Sequence, residues 1–195
     1  MSRLRIASLP LVVASITCVG DPGVLANDDR AILDQEEART DPAACHPGET
    51  AVVVDTIAHR LTLCEGGRPA ASFPVALGSG GVDKRRRGDN KTPLGVYALG
   101  APRASQDFHL FVPLVYPTAA QARLGYTGSA VGLHGPPRRF AGLLAILVPI
   151  PLPDWTAGCI AVRTDEEIDR IATWLRARAA PHIRLEPAGA ARGPR

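Results

Sequence analysis

Proline and glycine set the tightest limit on what this chain can become: it carries 18 and 19 of them, spread along its 195 residues. Proline fixes φ and has no N–H to give to a ladder, and glycine interrupts regular elements, so the chain is divided into short pieces. Many turns and short strands are expected. The length admits one domain with a sizeable core plus terminal appendages.

The first residues read as an export signal. Arg3 and Arg5 form a basic start, "IASLPLVVASITCVG" an apolar stretch, and "VLA" before Asn27 offers small residues for cleavage after Ala26. A membrane span needs roughly 20 apolar residues. This stretch is shorter and contains Pro10. Residues 1–26 are therefore expected to be a signal peptide that directs export, and an uncleaved signal segment is the one route to a membrane. Residues 27–46 begin as "NDDRAILDQEEARTDPAA", acidic and without a sustained apolar stripe, and read as a tether. A domain is expected over 47–187, with 188–195 a disordered tail.

The formal charge of the whole chain is +3. Loss of Arg3, Arg5 and Asp21 with the leader leaves +2, too mild for a nucleic-acid partner. The one dense basic run, "KRRR" at 84–87, reads as a solvated loop.

From Thr50 the pattern is that of strands. "TAVVVDT" and "RLTLCEGG", joined by "IAH", predict a hairpin. "SFPVALG", "LGVYALG", "FHLFVPLVYP" and "GSAVGLHG" follow, with the polar loop "SGGVDKRRRGDNKTP" between the first two of these. Pro113 inside its run favours an edge or a bulge. Pro136, Pro137, Pro149, Pro151 and Pro153 bar one regular element from the insertion that contains "FAGLLAILVPIPLP". In "RTDEEIDRIATWLRARA", Thr164 and Glu167 form a capping box, and Ile168, Ile171, Ala172 and Leu175 fall at helical spacing. "HIRLE" is the last strand. The fold class is therefore mainly β, with a short helix after the "GCIAVR" strand.

Export places the cysteines in an oxidising compartment. Cys45, Cys64 and Cys159 remain after the leader is removed. Either one pair forms and one thiol stays free, or all three stay reduced. Cys45 and Cys64 flank the open ends of the predicted hairpin and are the candidate disulfide.

Side chains alternate along a strand. In "GCIAVR", Cys159, Ala161 and Arg163 share one face, while Ile160 and Val162 point into a core. In "VGLHG", Gly132 and His134 share a face opposite Val131 and Leu133. A cysteine and a histidine thus stand at exposed strand ends, on the face where a groove would form. A thiolate attacks, and a neighbouring imidazole takes its proton or stabilises the ion pair. Gly158 lets a substrate approach the backbone, and N–H groups near Cys159 suit a developing oxyanion. No Cys-x-x-Cys or paired-histidine spacing implies a metal, and nothing implies an organic cofactor.

Together, "LHG" at 133–135 and "TAGCIAV" at 156–162 resemble the L,D-transpeptidase catalytic domain of the YkuD type, with its His-Gly followed by Ser/Thr-x-Gly-Cys. "GDNKTPLGVY" at 88–97 is similar to the family's Thr-Pro-x-Gly segment, and "VYP" with "DWTAGCIAV" resembles a subgroup common in Gram-negative bacteria. The resemblance implies a β-sandwich-like domain acting on peptidoglycan stem peptides through a thioester. It implies Cys159 as nucleophile and His134 as base, with Gly158, Gly135 and Thr156 by the oxyanion and substrate site. The family's arginine two residues beyond the cysteine is Ala161 here, so Arg163, Arg138 or Arg139 is expected to supply the charge. Two outcomes share the Cys-His pair: crosslinking of stems or attachment to a protein lysine, and hydrolysis as an L,D-carboxypeptidase or a hydrolase that releases attached protein; a degenerate module that binds peptidoglycan without turnover is the alternative that retention of both residues argues against. A sortase is excluded, because Thr-Leu-x-Thr-Cys is absent.

Overall fold

The computed structural model describes residues 45–138, 153–178 and 182–187. All of them belong to one compact unit, Glu37–Arg195. The signal peptide, all but the last two residues of the tether, Arg139 with most of the apolar insertion, and the tail lie outside the described residues.

Among the described residues, nine strands form two sheets. β1 (Ala51–Asp55), β2 (Arg60–Glu65), β3 (Arg68–Pro74), β4 (Gly95–Ala98) and β9 (His182–Glu186) make one, in the order β3-β2-β1-β9-β4. β5 (Arg103–Ser105), β6 (His109–Pro113), β7 (Gly132–His134) and β8 (Ile160–Ala161) make the other, in that order. Two helices accompany them among the described residues: α1 (Ala119–Arg123) and α2 (Asp165–Arg176). The molecule is mainly β, as the sequence predicts.

β1 and β2 form the predicted hairpin, with Ala51 opposite Cys64 and Asp55 opposite Arg60. β1 is buried on both faces: Val52 and Val54 enter the main core, and Val53 packs with Cys45 and Cys64 on the other side. Those two cysteines are joined, their Cα atoms 5.5 Å apart. The bridge ties the segment before β1 to β2, and Cys159 is the free cysteine among the described residues.

β3 begins at Arg68, earlier than "SFPVALG" implies, because Arg68 already pairs with Glu65 across a two-glycine turn. Beyond Pro74 the chain leaves this sheet, and Ala76 bridges Ala161 in the other. β6 lies between β5 and β7, not at an edge. Pro113 is accommodated as the last residue of that strand, where a missing N–H costs little. The short strand β5 and helix α1 have no sequence counterpart above; α1 is a five-residue helix held by a capping box between Thr118 and Gln121.

α2 starts where its capping box predicts. The Thr164 hydroxyl accepts the N–H of Glu167, and the Glu167 carboxylate accepts the N–H of Thr164. Ile168, Ile171, Ala172 and Leu175 are buried in one core with Leu61, Leu110, Val112, Leu133 and Ile160, so the helix fastens both sheets from below the β7 and β8 ends.

The bridge closes a loop with a sequence separation of 19, which in the chain-entropy description stabilises the fold by roughly 3 kcal/mol. Replacing Cys45 and Cys64 together by serine is expected to lower the urea unfolding free energy by about that amount. An unchanged unfolding midpoint would show that the bridge adds nothing.

Candidate active site

The parallel pairing of β7 with β8 sets Leu133 opposite Ile160 and His134 opposite Ala161. Alternation then places Cys159 and Ala161 on the side of Gly132 and His134, while Val131, Leu133, Ile160 and Val162 are buried in the core. The cysteine and the histidine, 25 residues apart in sequence, thus stand at neighbouring strand ends.

His134 departs from the exposed position expected of it. It is 1% exposed, stacked on Phe108 with ring centroids 3.9 Å apart, and edge-on to Trp155 at 5.7 Å. Its Nδ1 lies 2.7 Å from the Gly135 carbonyl oxygen. An acceptor there requires Nδ1 to carry the proton, which leaves the Nε2 lone pair open. Burial pushes the imidazole pKa down to about 4, and the Gly135 bond offsets only part of that. The ring is neutral at pH 7 and poised as a base.

The Cys159 thiol donates to the Ala130 carbonyl at 3.5 Å. Ala130 holds a left-handed backbone with φ 58°, uncommon for a residue with a side chain. Burial raises the thiol pKa; the N–H of Gly132 and the charge of Lys84 pull it down without cancelling the rise. A neutral thiol beside a neutral imidazole is the resting arrangement, suited to proton transfer during attack rather than to a standing ion pair.

The turn before the cysteine is fixed from three sides. Asp154 accepts the N–H of Leu77 at 2.7 Å and pairs with His59 Nε2 at 3.1 Å. Burial lowers the His59 pKa, but Asp154 outweighs it and the net shift is upward. Thr156 bridges Gly78, and its hydroxyl donates to the Cys159 carbonyl at 2.7 Å while accepting the N–H of Gly158 at 3.1 Å. Gly158, with φ 120°, backs onto the Lys91 carbonyl, which a Cβ would meet at 2.5 Å.

These contacts revise the roles drawn from sequence. Thr156 shapes the turn, and the Gly158 N–H is committed to it rather than to an oxyanion. The closeness that Gly158 permits is to Lys91, within the protein. Gly135 orients His134 and sits under α2, where a Cβ would meet Asp165 and Ile168 atoms at 3.1 Å. Arg163 is 3% exposed, its backbone N–H bonded to the Glu167 carboxylate at 2.7 Å and its charge acting on that same group, so it is a buried residue rather than one on an open groove. Arg138 is exposed, with its N–H on the Asp107 carbonyl.

The loop read as solvated also differs. Arg85, Arg86 and Arg87 are exposed, but Lys84 is 4% exposed, with Nζ 2.6 Å from Asp89 and 3.2 Å from the Arg86 carbonyl. Asp89 also accepts the N–H groups of Arg85, Arg86 and Lys91. Burial raises its carboxyl pKa, and these partners outweigh that and hold it well below the usual carboxylate range. The signal was present as Lys and Asp five apart in the loop leading to "TPLG"; a run of four basic residues concealed it.

A free thiol, a neutral imidazole with its outer nitrogen open and a rigid glycine turn together can carry nucleophilic acyl transfer. The chain matches the YkuD family model, L,D-transpeptidase catalytic domain, over residues 49–183, and it belongs to that family. In fold it is similar to the helical cell shape determining protein Pgp2 from Campylobacter jejuni, with 21% identity and a TM-score of 0.58 over 78% of this chain and 53% of that one. It is also similar to Bd1075 from Bdellovibrio bacteriovorus, with 20% identity and a TM-score of 0.50 over 70% and 47% of the two chains. The chain thus spans about half the length of these two structures. An L,D-transpeptidase from Xylanimonas cellulosilytica matches at 16% identity and a TM-score of 0.48, over 82% of this chain and 69% of that one. No curated protein matches the chain.

The buried His134 makes stability depend on pH in a definite direction. Its folded-state pKa of about 4 lies below the ordinary 6.5, so the unfolded chain takes up the proton first. Stability is expected to fall as pH drops from about 6.5 toward 4, by about 3 kcal/mol from this group, and to lose no more from it below that. Urea unfolding of the wild type and of His134→Gln at pH 7 and pH 4.5 measures it: the variant's loss should be smaller. Equal losses in the two proteins would show that His134 is not held neutral by the fold.

Proposed function

We propose that this protein is a cysteine-dependent L,D-transpeptidase acting on peptidoglycan stem peptides. Cys159 attacks the carbonyl of the L-centre residue in a tetrapeptide stem as its proton passes to His134 Nε2. The S–C bond forms, the C–N bond to the terminal D-amino acid breaks, and the proton held on His134 goes to the departing amine. An amine of a second stem, or of a protein lysine, then attacks the thioester, gives its proton to His134 and releases the thiol. The product is a 3-3 crosslink or an attached protein. The Gly135 bond to His134 Nδ1 is the observation that supports this most, since it leaves Nε2 as the nitrogen that accepts the thiol proton. Family membership supports the substrate class.

We also place the enzyme in the periplasm. The N-terminal pattern of residues 1–26 supports export, and a disulfide between Cys45 and Cys64 suits an oxidising compartment.

Incubation of the purified protein with tetrapeptide-stem muropeptides, with products identified by mass, tests the reading. Crosslinked dimers are expected; tripeptide monomers alone would assign an L,D-carboxypeptidase instead, and unchanged substrate would assign a binding module. Cys159→Ala and His134→Gln should each lose at least about a thousandfold in turnover, because nucleophile and base act as a unit. Near wild-type turnover by Cys159→Ala would overturn the mechanism.

A further inference from the structure

The buried lysine of the basic loop is placed for more than holding that loop. Its side chain runs between two glycines on either side of the thiol's surroundings. A Cβ on Gly128, two residues before the carbonyl that accepts the Cys159 thiol, would lie 3.1 Å from Lys84 Cε. A Cβ on Gly158, next to Cys159, would lie 3.7 Å from Lys84 Nζ. Both glycines have left-handed φ, 121° and 120°, so a side chain there is disfavoured by the backbone as well as by the space.

The lysine cannot swing away. Its Nζ is held by Asp89 and by the Arg86 carbonyl, and its own carbonyl accepts the Tyr116 hydroxyl at 2.9 Å. The loop is further pinned where Thr127 donates to the Arg85 carbonyl and Arg87 donates to the Thr127 hydroxyl. Asp89 also accepts three backbone N–H groups, so the carboxylate that holds the ammonium is itself fixed in the loop. Strand β8 contributes only the methyl of Ala161 to the face that Cys159 shares, and Arg163 is buried with its charge acting on Glu167.

We propose that Lys84, fixed by Asp89, is a positioning residue whose charge favours the thiolate of Cys159. This rests on Cys159 being the nucleophile. Burial alone would leave the thiol poorly ionised, and a cation in a water-poor site acts strongly over a few ångströms. Among the described residues, the charged group that acts on the thiol is Lys84, with Asp89 as its ion-pair partner in the loop, and the titratable His134 stands at the neighbouring end of β7. Tyr116 touches Lys84 through its carbonyl and stays neutral, its pKa pushed up to about 12 by burial.

The test is the pH profile of alkylation at Cys159 by iodoacetamide, followed by peptide mass mapping so that Cys18 is not counted. An opposite charge within about 4–6 Å moves a pKa by about one unit or more. In Lys84→Met, and in Lys84→Gln, the alkylation midpoint should rise by about one pH unit, with Lys84→Arg near wild type. An unmoved midpoint in folded Lys84→Met would overturn the proposal, because a purely structural lysine would change stability and leave the thiol's profile alone. Should neither neutral variant fold, the wild type still decides: the ¹⁵N shift of the Lys84 ammonium should inflect at the thiol's midpoint and lose that inflection in Cys159→Ser. Absence of the inflection would overturn it. Retained turnover in Cys159→Ala is a separate failure, of the nucleophile assignment, and is read by a different assay.

Discussion

Everything at this site depends on the parallel pairing of β7 and β8. Parallel strands cannot be joined by a tight turn, so the two short pieces "GLH" and "IA" are brought together across a long connection and held by packing rather than by local chain geometry. Leu133 and Ile160 form the greasy side of that pairing and are fully buried. Because they are fixed, the residues on the opposite side are fixed too, and His134 and Cys159 come to neighbouring strand ends. α2 contributes by packing Ile168 and Ile171 into the same core, and its first turn lies under Gly135.

Around that pairing the protein excludes water and then compensates selectively. Burial makes His134 neutral and makes Cys159 harder to ionise, two effects that together favour a concerted transfer of the proton over a preformed ion pair. The Gly135 carbonyl fixes the tautomer, the Asp154 and Thr156 contacts fix the turn, and the basic loop delivers one buried cation beside it. The glycines are accordingly packing sites: Gly158 against the Lys91 carbonyl, Gly128 against the Lys84 stem.

Features governed by local rules were legible in the sequence. The β1–β2 hairpin follows from "AVVVD" and "RLTLC" around a short turn, and the Cys45–Cys64 proximity follows from the hairpin. The start of α2 follows from Thr164 and Glu167, and the shared face of Cys159 and His134 from alternation along their strands. What escaped reading depends on which partners the fold packs against a side chain, distant or near in the chain. His134 is buried because Phe108 and Trp155 cover it, and neither carries a mark of that role. Lys84 is buried because Asp89 and Tyr116 enclose it, whereas a basic run of four reads as a solvated loop. Arg163 shares a strand face with the cysteine on paper, but Glu167 of the capping box claims it. The same Thr164–Glu167 pair that revealed the helix therefore also decided the arginine, a consequence that helix rules alone do not draw.

The central claim is that Cys159 becomes covalently acylated with His134 as its base. Its most direct measurement is the intact mass of the protein quenched in acid during turnover of a tetrapeptide-stem muropeptide. The account predicts a species heavier by the donor stem without its terminal D-amino acid, mapped to Cys159, released by hydroxylamine and absent from Cys159→Ser. Turnover with no such species at any quench time, or an acyl group on another residue, would contradict it.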